Sequence, residues 1–199
     1  MAARRDFKRP FGKKEKRRVF IVASEGRLSE NGYFSQFNNV SWSIFVKVRT
    51  VKKNNKSAPH QVLKYMKKYL SENHLESNDK AWIVIDTDHW NEDEIQKIHE
   101  WAQSHENYGI AVSNPNFEYW LLLHFEEGNK MKNTTECSRR LKKHWPEYNK
   151  EIDPEKFKKE VVCKAVQRAK LRDTPRCSDW PRTIGKTTVY RLVEQILNS

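Results

Sequence analysis

Cysteine is scarce in this chain. Cys137, Cys163 and Cys177 are an odd number with no Cys-x-x-Cys pair. That argues against a disulfide framework or a zinc ribbon and for a reducing, cytoplasmic setting. The seven histidines are scattered, and His99 and His105 are too far apart for the helical zinc motif, which needs histidines at i and i+4. No apolar run is long enough to cross a bilayer, and the amino terminus lacks the apolar stretch of a secretory signal, so no membrane partner is expected. Gly185-Lys186-Thr187-Thr188 is not a phosphate loop. The motif would need a glycine where Trp180 stands, and it would have to follow a strand rather than a Pro/Arg-rich loop. Acids are short relative to bases: 26 Asp and Glu against 38 Lys and Arg give a net charge of +12. A polyanion is the expected partner, nucleic acid first, and the bland alternative is a merely soluble basic surface.

What is present suffices for a folded domain. The chain has 199 residues, 37% hydrophobic and 12% aromatic, enough to build a sizeable core. Residues 1–18 hold nine basic and two acidic side chains, hence seven of the twelve net positive charges. Residues 1–16 read as a basic, flexible arm, with Arg17 and Arg18 as nucleic-acid contacts. Strands are expected over residues 17–24, 41–48, about 80–86 and 108–113, and residues 50–57 read as a Lys/Asn-rich loop. Helices are expected over 29–37, 59–75 and 91–104, the last with Asn91 and Glu94 in a capping arrangement. Alternating strands and helices predict an α/β domain over residues 17–125, a mainly parallel four-stranded sheet covered on both faces. Residues 126–199 read as a helical extension packed on the same domain. Helices are expected over 117–125, 135–145, from the Asp153-Pro154-Glu155 cap to Leu171, and 186–197.

The chemistry concentrates at strand ends. Val19-Phe20-Ile21-Val22-Ala23-Ser24 breaks into Glu25-Gly26, and Ala81-Trp82-Ile83-Val84-Ile85 breaks into Asp86-Thr87-Asp88. Apolar runs that end this abruptly read as buried parallel strands, and open α/β sheets place their sites beyond the carboxyl ends of such strands. Three carboxylates gathered there would repel one another, which implies a divalent cation. Hard oxygen ligands suit Mg2+ or Mn2+ rather than zinc. Glu30 and Glu118 lie near the starts of the following helices and are either further metal ligands or helix-dipole partners. His124 is a candidate acid or base, with a structural role as the plain alternative. Arg182 and Lys186 are candidate phosphate contacts.

Taken together, the residues resemble the RloB-like proteins of prokaryotic defence loci. The match rests on Phe20 to Gly26 with Ser29-Glu30 and Tyr33-Phe34, on Ile85-Asp86-Thr87-Asp88-His89, on Ser113 to Phe125, and on Thr187 to Val193. It spans roughly residues 14–197. The resemblance implies a Toprim, Rossmann-like fold in which Glu25 serves acid/base chemistry and Asp86 and Asp88 hold magnesium. It also implies an antiviral or abortive-infection effector encoded beside an ABC-type or AAA-type ATPase. Asn31-Gly32 departs from the usual proline after the acid, and residues 181–186 lack the usual Asn-Pro-Ser.

The leading expectation is a Mg2+- or Mn2+-dependent nuclease with Glu25, Asp86 and Asp88 as catalytic residues, cutting RNA, tRNA included, or DNA. A non-catalytic module that binds nucleic acid or docks on an ATPase is the alternative, and nucleotidyl transfer is a third. Whether the protein forms a homo-oligomer stays open.

Overall fold

The computed structural model describes residues 17–26, 28–39, 44–50, 59–88 and 91–199. The expected basic arm, the first three residues of the expected second strand and nearly all of the 50–57 loop lie outside the described residues.

Four parallel strands form the body of the sheet: β1 (Arg18–Ser24), β2 (Ile44–Thr50), β3 (Lys80–Asp86) and β4 (Tyr108–Asn114). The central residues of β1, β3 and β4 are buried on both faces, which is why these strands read as continuous apolar runs rather than alternating ones. A fifth strand, β5 (Lys186–Thr187), pairs antiparallel with the end of β4, and the order across the sheet is β2-β1-β3-β4-β5. Two residues are too few to show a strand period, so Lys186 was expected to start the last helix instead. The Thr187 and Thr188 hydroxyls hold this edge. Thr187 Oγ1 lies 2.9 Å from Ser113 Oγ, and Thr188 Oγ1 accepts from the Val112 N–H at 2.9 Å. The Gly-Lys-Thr-Thr segment therefore closes a sheet edge.

The order dictates where the helices go. From β1 the chain steps outward to β2 through α1 (Ser29–Ser35). It then returns past β1 to β3 through α2 (Pro59–Glu72) and continues to β4 through α3 (Glu92–Gln103). Right-handed crossovers taken in opposite directions put α1 on one face and α2 and α3 on the other. The packing agrees. Val62, Leu63 and Met66 of α2 and Ile95, Ile98 and Trp101 of α3 share one core with Ile21, Ile83 and Ile85. Tyr33 and Phe34 of α1 share the other with Phe20, Val22, Trp82 and Val84. The remaining helices are α4 (Phe117–Leu122), α5 (Thr134–His144), α6 (Lys159–Arg172) and α7 (Val189–Leu197). All four contribute to that second core, so the helical part packs on the sheet itself.

Two helix boundaries differ from expectation. α4 stops at Leu122, and Asp153-Pro154-Glu155 opens a 3-10 turn, Pro154–Phe157, ahead of α6. In that turn Asp153 Oδ1 accepts from the Glu155 N–H at 3.1 Å, so the capping residues act as expected but over a single turn. Among the described residues, no helix is long and apolar enough to cross a membrane, and all three cysteines are unpaired.

Close approach fixes one glycine in the sheet. A Cβ on Gly109 would lie 2.6 Å from the Trp82 indole of the neighbouring strand, whose ring is buried and rigid. Gly109→Ala is expected to destabilise the protein by about 1–3 kcal/mol through overpacking, read from the midpoint of urea unfolding.

Candidate acidic centre at the carboxyl edge of the sheet

β1 and β3 are adjacent and parallel, with Ser24 level with Val84, so Glu25 follows one strand and Asp86 ends the other at the same edge of the sheet. This is also the point where the chain's direction across the sheet reverses: the connection after β1 runs to β2, and the one after β3 runs to β4. Open α/β sheets leave a crevice at such a switch point. The period-two alternation that sends Trp82 and Val84 toward α1 and α4 sends Asp86 the same way. Its carboxylate accepts a hydrogen bond from the Phe117 N–H at the start of α4. That turn also carries Glu118.

The sheet end thus gathers acids from four segments. Burial pushes the Asp86 carboxyl well above the usual carboxylate range, and the charges of Glu30, Glu118 and Asp88 add to the effect. Burial likewise raises Glu30 from 4.5 to about 7, with Glu118 and Glu25 adding to it and the N–H groups of Glu30 and Gly26 working against it. Glu25 is half-buried and Asp88 exposed. Gly26 is the cradle for Glu30, because a Cβ there would sit 1.7 Å from Glu30 Oε2. Glu118 is held from the far side. The Tyr148 hydroxyl donates to Glu118 Oε1 at 3.2 Å and lies 2.8 Å from the Ser29 hydroxyl. This contact ties the start of α1 to that of α4.

The candidate ligands expected from sequence, Glu25, Glu30, Asp86, Asp88 and Glu118, are therefore brought into one electrostatic neighbourhood. Among the described residues, no three His, Cys, Asp or Glu side chains stand close enough together in this conformation to hold a metal ion. The donor set nevertheless fits a hard divalent cation in one specific respect. Asp86 Oδ1 is shut off from solvent and has no hydrogen-bond partner among the described residues. An unpaired buried carboxylate oxygen is costly, and coordination to a cation is one of the few ways to satisfy it.

Other candidates are placed differently. His124 sits in the core instead of on the rim. Its Nδ1 donates to Trp120 O at 3.0 Å, its Nε2 accepts from the Tyr33 hydroxyl at 3.0 Å, and the rings of Tyr33, Trp120 and Phe157 surround it. Burial lowers its pKa to about 3, so at neutral pH it has no proton to give at a reacting group. The acid/base expectation for His124 is corrected to a structural role. Arg17 and Arg18 stand at the opposite end of β1 from Glu25, roughly 20 Å away at about 3.3 Å per residue. Arg18 Nη1 is hydrogen-bonded to Ser199 Oγ there. The two arginines do not belong to the acidic centre. Lys186 and Arg182 are on the correct side: Lys186 pairs with Asn114 at the end of β4. Arg182 lines a groove of about 410 Å³ together with Thr87, Asp88, Asn114, Pro115 and Ile184. Arg182 is also stacked 3.7 Å from the Trp180 ring centroid and paired with Glu92 and Asp179. Sequence spacing gave no sign of Tyr148, which lies 30 residues from the acid it touches.

The chain matches the model of the RloB-like protein family over residues 20–196, and it belongs to that family. No curated protein and no solved structure matches it significantly.

The raised Glu30 has a measurable consequence. Between pH 4.5 and about 7 the folded protein keeps a proton there that the unfolded chain has lost, so this group's contribution to stability falls as pH rises through that window. Glu30→Gln removes the penalty. The variant is expected to be more stable than wild type at pH 8 by on the order of 2 kcal/mol, with the difference vanishing below pH 4.5. Metal-free urea titrations at several pH values check this.

Proposed function

We propose that the protein is a Mg2+- or Mn2+-dependent nuclease acting in antiviral defence, with RNA the first substrate class to test. One observation carries the reading. Five acids converge at the switch point of a parallel sheet, where burial and mutual repulsion raise two of them and one Asp86 oxygen is left unpaired. Such an arrangement is costly for a metal-free protein and useful for one that binds a cation. Membership of the RloB-like family supports the same direction, since the family's resemblance to Toprim proteins implies a Glu and an Asp-x-Asp in these roles.

In this reading Asp86 and Asp88 hold the cation, with Glu118 and Glu30 able to contribute to it or to a second one. When bound, it supplies charge for a phosphate oxygen and lowers the pKa of a water. Glu25, half-buried at the end of β1, accepts the proton of the attacking water. Gly26 leaves room for the Glu30 carboxyl, and Tyr148 orients Glu118. Lys186 and Arg182, on the same edge, attract the phosphodiester backbone. The net charge of +12 supplies long-range attraction for a polyanion. A neighbouring ATPase as regulator belongs to the same proposal.

A non-catalytic binding or docking module is the second reading. It is favoured by the absence, among the described residues, of three metal-competent side chains already grouped.

The two readings separate in one experiment. Wild type and Asp86→Ala are incubated with single-stranded RNA, tRNA and DNA in Mg2+, Mn2+ or EDTA. The nuclease reading expects cleavage that EDTA abolishes and that Asp86→Ala lowers by about 10²-fold or more. Glu25→Gln should cost about 10²–10⁴-fold. Binding without cleavage, or equal cleavage by wild type and mutant, supports the second reading and overturns the first. Cation binding should also release protons, because burial and neighbouring acids raise Glu30 and Asp86 in the metal-free protein and so disfavour the charged forms a cation needs. Mn2+ affinity is therefore expected to fall as pH drops from 8 to 6, with proton release visible by calorimetry in buffers of different ionisation enthalpy.

A further inference from the structure

Three helices of this protein begin at an asparagine, and they treat it differently. Asn91 and Asn133 cap α3 and α5 in the ordinary way, their Oδ1 atoms accepting from the Glu94 and Glu136 N–H groups at 2.9 and 2.8 Å. Asn116 precedes α4 with the same extended backbone but makes no side-chain cap. Its Oδ1 is shut off from solvent without a hydrogen-bond partner among the described residues, and the residue is only 8% exposed. An asparagine at this position ordinarily satisfies its own helix, and leaving the oxygen unpaired has a cost. The N–H of the next residue, Phe117, meets the Asp86 carboxylate, whose Oδ1 is, among the described residues, the other unpartnered buried oxygen of this edge. The peptide that follows Asn116 is thus in hydrogen-bond contact with the very carboxylate assigned to the cation.

We propose that Asn116 Oδ1 is a neutral ligand to that cation, beside Asp86. The inference rests on the metal-dependent reading above and extends its ligand set beyond the acids. The chemistry suits the position. An amide carbonyl is a hard oxygen donor that Mg2+, Mn2+ and Ca2+ accept. It adds coordination without a further negative charge at an edge already carrying five carboxylates. It also accounts for the departure from capping, since an oxygen directed at the N–H groups of α4 could not serve a cation.

Mn2+ binding to the full chain, followed by calorimetry and by the loss of the free-ion electron paramagnetic resonance signal, tests this without reference to activity. Asn116→Ala should bind Mn2+ about 10-fold more weakly than wild type. In EDTA it should unfold at the same or a higher temperature, because a buried unpaired oxygen has been removed. Asn116→Asp should retain binding within a few-fold of wild type at pH 8, since a carboxylate can replace the amide oxygen as ligand. Wild-type affinity in Asn116→Ala, with binding lost in Asp86→Ala, overturns this assignment and leaves the metal reading intact. Binding in Asn116→Asp as weak as in Asn116→Ala also overturns it, because the amide would then be acting as a donor. No Mn2+ binding by wild type overturns the metal reading itself.

Discussion

Like charge held together where water is scarce governs this structure. Asp86 lies within the fields of Glu30, Glu118 and Asp88, and Glu30 within that of Glu25, all at one edge of a sheet whose faces are covered by helices. Two unit charges 4 Å apart interact by about 4 kcal/mol at an effective dielectric of 20. A few such pairs rival the whole stability of a domain, about 5–15 kcal/mol. The protein accommodates them by raising Glu30 and Asp86, which disfavours their charged forms, and by placing donors on the acids: the Gly26 and Phe117 N–H groups and, for Glu118, the Tyr148 hydroxyl. The two cores on either side of the sheet provide the stability that this edge gives up.

The same chain shows how it treats a buried acid that has only a structural task. Asp173, at the end of α6, accepts from the Cys177 N–H at 3.1 Å, the Tyr190 hydroxyl at 2.9 Å and Arg191 at 2.8 Å. Burial works against its charge, yet these partners hold its carboxyl below the usual range. Among the described residues Asp86 has no such arginine hydrogen bond; the groups that act on it are other acids and one backbone N–H. Asp173 is fully satisfied, whereas a shielded oxygen of Asp86 lacks a partner among the described residues, and the contrast supports the proposed site. Structural acids are paired, whereas acids awaiting a ligand are not.

How much of this was legible in the sequence follows from the range of the forces involved. The strands were legible because burial on both faces leaves unbroken apolar runs. Glu25, Asp86 and Asp88 were legible because each interrupts such a run at its end. Asn91 announced a cap through Glu94 three residues on, a local signal for a local bond. The rest depends on contacts between distant segments. Tyr148 reaches Glu118 across 30 residues, and β5 gains its register from Ser113 and Val112, over 70 residues away. His124 lies next to a motif but turns inward, because a neutral imidazole between a carbonyl and a phenol is a satisfied core group. Arg17 and Arg18 looked close to Glu25 in sequence, but a seven-residue strand puts them at the far end of the sheet. Asn116 carried no such local signal, and only the three-dimensional arrangement reveals that its oxygen is unused.

The charge distribution bears on which of the two functional readings is physically economical. A protein that only carries nucleic acid has no use for five acids at the edge nearest Lys186 and Arg182, because these acids repel the phosphates that the cations attract. A bound divalent ion would offset two of these negative charges and present a cationic point to a phosphodiester drawn in by a net charge of +12. The acidic edge and the basic whole are then parts of one design. On the proposed reading, long-range attraction brings the polyanion in, and a small, cation-dependent centre acts on a single linkage. On this argument a docking module would need a separate explanation for keeping Asp86 short of partners, whereas a metal-dependent phosphodiesterase needs none.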